Sequence, residues 1–222
     1  MASAQSSDSG PGVVDPDERF FWALMRRFET LAVDRYAALA PALLLDEKVR
    51  FVERLAADGA DPAALAASPL EKPSGELLAR AQQSRDEAAT LLVQGIVLEC
   101  LGQAIYRLVA GRTEGVSEAS RQRAAEGLAA SAAVTAAAGA RIAERLGTGE
   151  PLYARFADVT YDVVAALDPL ADPVDCVFGR RFGLRFADVM GEFTADLVGV
   201  CTGLGMQRRK VVAHLTGAAM GV

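Results

Sequence analysis

Histidine is almost absent from this chain of 222 residues, which contains only His214. A dinuclear metal site in a helical bundle takes imidazole ligands from two different helices. One histidine near the carboxyl terminus cannot supply both. The sequence therefore excludes a histidine-ligated dinuclear metal centre.

An excess of basic residues is also missing. The formal net charge is −6 and the isoelectric point is about 4.9. Nucleic-acid-binding proteins usually carry a basic patch or stripe, because they must neutralise phosphates. The basic clusters here are short and are typical of solvated helix faces; they lie at 26–27, 180–181 and 208–210. We expect no nucleic-acid partner.

Cysteine pairs with the spacing of a metal or redox site are missing as well. Cys100, Cys176 and Cys201 form no CxxC motif, and an odd number of cysteines is typical of reduced thiols.

Residues 1–12 show neither the basic start nor the apolar run of a signal peptide. The most apolar stretch near the carboxyl terminus, 189–206, carries two acidic residues that a membrane span would tolerate poorly. We expect a cytoplasmic protein without a membrane partner.

The chain does have a strong helical signal. Hydrophobic residues make up 51% of it, and many of them are alanine, the best helix former. Strand-like alternation is scarce. After a disordered tail at residues 1–15, the pattern predicts one domain over 16–222, with helices at 16–40, 43–57, 84–111, 117–146 and 151–167 and a glycine-broken region at 177–219. The irregular connection at 59–83 is expected to hold a short helix over 76–82. Four long helices with additional C-terminal helices predict an all-α bundle.

Two local features sharpen this prediction. Ser84 and Glu87 have the spacing of a capping box for the third helix, and Ser117 can cap the fourth. The middle of the fourth helix, 129–140, consists almost entirely of small residues. Such a face predicts close approach to another helix, or space left for something larger.

Three short segments carry a resemblance to a known family. They are 28–36 with Glu29, 93–100 with Glu99 and followed by Tyr106, and 128–131 followed by an Arg-Ile pair. Together they resemble the ferritin-like superfamily, and more narrowly the actinobacterial ferritin-like proteins related to tRNA hydroxylases. The resemblance covers residues 16–150, and more weakly the C-terminal helices. It implies a ferritin-like four-helix bundle.

The family pattern places one carboxylate on each of helices one and three, and a Glu-x-x-His pair on each of helices two and four. The resemblance assigns the two carboxylates to Glu29 and Glu99. The pairs would fall at 59–62 and at 130–133 or 132–135, and these positions contain neither glutamate nor histidine. We therefore expect no metal and no other cofactor.

An all-carboxylate metal site remains an open alternative. It would use Glu29, Glu99, Asp58 and Glu126, and it would suit Mg²⁺ or Mn²⁺ better than iron.

The same residues suggest candidates for catalysis. Glu29 and Tyr36 are two helical turns apart, and Glu99 shares a face with Tyr106. Two buried carboxylates cannot both ionise cheaply, so one pKa should rise or a basic residue should pair with them. A carboxylic acid beside a tyrosine could act as a general acid or base. Glu29, Glu99 and Tyr106 are therefore the catalytic candidates.

A purely structural interpretation stands beside that one. Glu99 could pair with an arginine on a neighbouring helix, and Tyr106 could bond to a backbone carbonyl. Glu29 could lie on the surface beside Arg26.

Three functional hypotheses follow. The first is a metal-independent bundle that binds a small organic molecule in the former metal cavity, with non-redox acid/base chemistry in its catalytic version. The second is a non-catalytic scaffold or homo-oligomerisation module that uses the small-residue face of the fourth helix. The third, implied by the resemblance alone, is a divergent dinuclear hydroxylase acting on a modified nucleoside or a small metabolite.

Overall fold

The protein is described by a computed structural model over residues 16–57, 68–179 and 182–220. These ranges contain eight main helices and no strand, which confirms the all-α prediction. The helices are α1 (Pro16–Leu39), α2 (Asp46–Ala57), α3 (Glu71–Ala81), α4 (Glu87–Ala110), α5 (Glu118–Arg145), α6 (Glu150–Ala165), α7 (Phe186–Gly203) and α8 (Arg208–Met220). The tail predicted at residues 1–15 lies outside the described residues.

The four-helix bundle consists of α1, α2, α4 and α5. In this ring α1 packs on α2, α2 on α5, α5 on α4, and the start of α4 on α1. The additional C-terminal helices cover the outside, with α7 against α4 and α8 against α6 and α7. The bundle with additional C-terminal helices is therefore as the sequence predicted.

Helix α4 is the central helix of the protein. Its segment from Leu91 to Val97 is buried on all sides. By length and composition α4 could span a membrane, but 72% of its most apolar window is buried inside the protein. A helix that is apolar all round is buried in a core or in a membrane. Here neighbouring helices of the same chain provide the burial.

The small residues of α5 allow α4 to approach closely. A Cβ added at Gly95 of α4 would lie only 2.8 Å from the Cβ of Ala138 on α5. A Cβ at Gly127 of α5 would lie 2.7 Å from Cζ of Phe51 and 2.9 Å from the ring of Tyr106. The small-residue face predicted at 129–140 is thus used, at least in part, for packing within the chain.

One predicted cap is confirmed and one is wrong. The Ser117 hydroxyl accepts a hydrogen bond from the Ser120 amide and caps α5. At α4 the cap is Asp86, whose carboxylate accepts from the Ala89 amide at 2.7 Å. Asp86 directly precedes the first turn and reaches that amide itself, so the predicted capping box of Ser84 and Glu87 does not form.

Candidate functional site

Two buried carboxylates meet in the centre of the bundle with a lysine between them. Glu29 of α1 is 4% exposed and Glu99 of α4 is 3% exposed. The Nζ atom of Lys48, on α2, lies 2.5 Å from Oε2 of Glu29 and 2.7 Å from Oε2 of Glu99. These three residues are called the ion cluster below.

Two tyrosines hold the remaining carboxylate oxygens. The Tyr36 hydroxyl donates to Oε1 of Glu99 at 2.7 Å, and the Tyr106 hydroxyl donates to Oε1 of Glu29 at 2.6 Å. On each helix the tyrosine lies seven residues after the glutamate, and each tyrosine bonds to the glutamate of the other helix. This crossed pattern requires α1 and α4 to run antiparallel here, and it fixes both carboxylates against rotation.

Lys48 reaches the core because it lies on the apolar face of α2. Phe51 and Leu55 follow it by three and seven residues and are buried on the same side. The Lys48 side chain is 1% exposed, and its Nζ also lies 3.3 Å from Oγ of Ser131 on α5. Four helices therefore contribute to the environment of this one ammonium group.

Burial and charge act in opposite directions on the lysine. Burial alone would lower the pKa of Lys48, but the adjacent carboxylates of Glu29 and Glu99 outweigh it and raise that pKa. The lysine therefore stays protonated as the counter-charge of the cluster.

The pKa of Glu99 is also raised, which at first conflicts with a stable ion pair. Burial is the main cause, Lys48 opposes it, and the nearby carboxylate of Glu29 raises the pKa further. Both pKa values rise, but with opposite effects on charge: Lys48 faces two carboxylates, which favour its charged form, whereas Glu99 is buried and shares one lysine with a competing carboxylate, which favours its neutral form. Glu99 therefore accepts a proton more readily than an exposed glutamate.

Burial and the adjacent carboxylates raise the pKa of Tyr36 and of Tyr106 well above the usual value. Both phenols therefore remain protonated and act as hydrogen-bond donors.

The cluster does not fit the dinuclear metal site that the family resemblance implies. In the described part of the chain no group of three or more His, Cys, Asp or Glu residues could hold a metal ion. The Lys48 ammonium stands between Glu29 and Glu99, and a divalent cation placed there would meet a like charge at close range. No chemical step is assigned to a metal here.

The structure brings together all three catalytic candidates, Glu29, Glu99 and Tyr106. The structural interpretation anticipated an arginine partner for Glu99, and the cation is Lys48 instead. Tyr106 donates to Glu29 rather than to a backbone carbonyl, and Glu29 is buried rather than beside solvent.

Other sequence candidates lie away from the ion cluster. Glu126 pairs with Arg54 near the surface, while Asp58 and positions 59–62 lie outside the described residues. His214 of α8 is half-buried, and its Nε2 lies 3.0 Å from the Thr160 hydroxyl of α6.

A largely apolar cavity of about 90 Å³ lies beside the ion cluster and is partly open to solvent. Its walls come from α1, α3, α4, α7 and the segment between α6 and α7, and Lys48 of α2 also lines it. Among the described residues, its polar lining side chains are those of Glu29, Lys48, Ser74, Gln94 and Glu99. Since one water molecule needs roughly 10–15 Å³ of such space, the cavity has room for several non-hydrogen atoms.

A π-helical segment over Leu91–Leu98 explains how two polar side chains of α4 face this cavity. The Glu99 amide bonds to the Gln94 carbonyl, five residues earlier, which is the π-helical pattern. In a regular α-helix residues five apart would point about 140° away from each other. The wider turn brings Gln94 and Glu99 to the same side, and both line the cavity.

Sequence reasoning did not find Lys48 or Gln94. A signal for Lys48 was present, because it occupies a position of the apolar face of α2 that predicts burial. Gln94 gave no such signal, because a π-helical turn cannot be recognised from residue periodicity alone.

Comparisons with known proteins identify the fold. No family model matches the sequence, and no curated protein matches it. Seven solved chains resemble the structure. One is described as protein 19 with aldehyde deformylating oxidase activity from Synechococcus; it has a TM-score of 0.65 and 16% sequence identity, over 90% of this chain and 92% of that chain. The chain therefore has the ferritin-like bundle fold.

Proposed function

We propose that this chain is a metal-independent ferritin-like bundle protein that binds a small, mostly apolar organic molecule. The observation that carries the proposal is the cavity beside the ion cluster, with its apolar walls and its few polar groups. Apolar concave sites with a small number of placed polar groups are the usual form of small-molecule sites. Lys48 fills the space between Glu29 and Glu99, so the ligand would lie next to the former metal position rather than in it.

Acid/base chemistry is the catalytic version of this proposal. Glu99 lines the cavity, and burial raises its pKa, which makes its carboxylate a better proton acceptor than that of an exposed glutamate. Glu29 would support it by holding Lys48 in place, and Tyr106 would hold the Glu29 carboxylate. The variant Glu99→Gln keeps the size of the side chain but cannot exchange this proton. Turnover retained by Glu99→Gln would contradict the acid/base part.

The Synechococcus structure supports a small organic ligand in this fold, since its description names activity on an aldehyde. Oxidase chemistry is not part of our proposal, because Lys48 stands between the two carboxylates.

Ligand binding can be tested directly with octan-2-ol, a neutral aliphatic probe. By calorimetry we expect a dissociation constant on the order of 10–100 µM, as reached by ligands with about nine non-hydrogen atoms. Val189 of α7 lines the cavity, so Val189→Phe should weaken binding at least about tenfold by filling the space.

The control is Val200→Phe, the same change on the same helix at a position that does not line the cavity. It should bind like the wild type. No binding by the wild type, or equal weakening in both variants, would overturn the proposal.

The scaffold hypothesis remains the alternative. Part of the small-residue face of α5 already packs on α4, so a homo-oligomer would have to use other surfaces as well. Light scattering at micromolar concentration tests it, and a monomer would count against it.

A further inference from the structure

One of the polar residues that line the cavity has a side-chain atom without a hydrogen-bond partner. Gln94 is 1% exposed and lines the cavity, and its Oε1 atom is buried without a partner among the described residues. An unsatisfied buried acceptor destabilises the folded state, because the atom has lost its hydrogen bonds to water. Such an atom is rare in a core, and a ligand that donates a hydrogen bond to it would remove this cost.

The hydrogen bond of the Gln94 side-chain nitrogen fixes the orientation of the side-chain amide. The Gln94 Nε2 donates to the Ala81 carbonyl of α3 at 3.1 Å. A flipped amide would place Oε1 against that carbonyl, so two acceptors would face each other. The free group is therefore the oxygen, and it can only accept.

We infer that the cavity selects neutral ligands whose polar end donates a hydrogen bond, such as an aliphatic alcohol, with Oε1 of Gln94 as the acceptor. This inference rests on the proposed function and names the ligand class of the same cavity. A ketone or an aldehyde of the same skeleton has only an acceptor oxygen, so it leaves Gln94 unsatisfied.

Charge disfavours a carboxylate ligand at the same place. The ion cluster contains two carboxyl groups and one ammonium, and the two tyrosine hydroxyls already donate to those carboxyl groups. No surplus positive charge lines the cavity among the described residues. An anionic head group would be brought near Glu29 and Glu99 without compensation.

The test compares octan-2-ol with octan-2-one, which share one skeleton and differ in donor ability. By calorimetry, the wild type should bind the alcohol roughly fivefold or more tightly than the ketone, as one satisfied buried acceptor predicts. In Gln94→Met this ratio should fall to about one. Gln103→Met is the matched control, because Gln103 is another buried glutamine of α4 that bonds to Thr135 and does not line the cavity.

The outcomes separate this inference from the proposed function. Equal binding of alcohol and ketone by the wild type would overturn the inference and leave the ligand-binding function intact. A ratio that survives in Gln94→Met, or disappears equally in Gln103→Met, would overturn the role of Gln94. If neither compound binds the wild type, both proposals fail. The wild-type ratio decides the ligand class even if Gln94→Met does not fold.

Discussion

Helix α1 contains two buried glutamates that are satisfied in different ways. Glu18 and Glu29 are each 4% exposed. Glu18 accepts from neutral donors at the start of α5, namely the Ser117 amide and the hydroxyls of Ser117 and Ser120, each at 2.6–2.7 Å. Glu29 shares a buried lysine with Glu99 instead. Both sites are buried, and Glu29 and Glu99 of the second one line the cavity.

The two sites also differ in the direction in which they shift the pKa of a buried glutamate. Burial would raise the pKa of Glu18, but the hydrogen bonds from Ser117 and Ser120 outweigh it and lower that pKa. Burial and the competing carboxylate raise the pKa of Glu99 despite Lys48. A helix N-terminus and two hydroxyls therefore stabilise one buried charge better than one lysine stabilises two. Glu18 therefore favours its charged form, whereas Glu99 in the ion cluster takes up a proton more readily than an exposed glutamate.

Removing the lysine should have the largest effect. We expect Lys48→Met to lower the free energy of unfolding by about 3–5 kcal/mol, because it leaves two carboxylates buried without a counter-charge. Urea denaturation followed by circular dichroism measures this. The triple variant Glu29→Gln, Lys48→Met, Glu99→Gln should recover much of the loss, since no buried charge remains.

The matched control for this prediction is Lys72→Met. Lys72 has an 88% exposed side chain and lies 4.0 Å from Glu76, so its loss should change stability by less than about 0.5 kcal/mol. If Lys48→Met were as stable as Lys72→Met, the ion cluster would not hold the bundle together as described.

A smaller effect is expected in the pH dependence, where the two glutamates should differ in sign. The folded pKa of Glu99 lies above its ordinary value of 4.5, so the folded state binds this proton more tightly than the unfolded chain. Relative to Glu99→Gln, the wild type should be most stable below pH 4.5 and should lose stability as pH rises through the raised pKa.

Glu18 should give the opposite slope. Its folded pKa lies below 4.5, so the stability it contributes is present above pH 4.5 and is lost as pH falls through the lowered pKa. Urea denaturation of Glu18→Gln, Glu99→Gln and the wild type from pH 3 to pH 8 compares the slopes. Slopes of equal sign would contradict the contrast between the two sites.

Much of the fold could be predicted from sequence because it depends on local patterns. Apolar periodicity in α1 and α4, the Ser117 cap and the small residues of α5 are all visible without a structure. The predicted N-cap of α4, Ser84, lies two residues before the observed one, Asp86. Asp86 is closer to the first turn, and its carboxylate accepts from the Ala89 amide there. The helix predicted within residues 76–82 proved longer, at Glu71–Ala81.

The site could be predicted only in part. Glu29, Glu99 and Tyr106 were found because the resemblance and the seven-residue spacing both point to them. Lys48, one of three lysines in the chain, was missed because charged residues are expected on exposed faces. Which glutamate each tyrosine bonds to depends on the antiparallel contact of α1 with α4, and that contact is not local in sequence.

We propose that the Lys48 ammonium stands between Glu29 and Glu99 at the place where the metal site of the resembled family would lie. Anomalous diffraction from crystals grown with Mn²⁺, using protein from cells supplemented with iron and manganese, tests this most directly. We predict continuous density for Lys48 between the two carboxylates and no anomalous peak there. Two anomalous peaks between α1, α2, α4 and α5, with Lys48 displaced, would contradict the account.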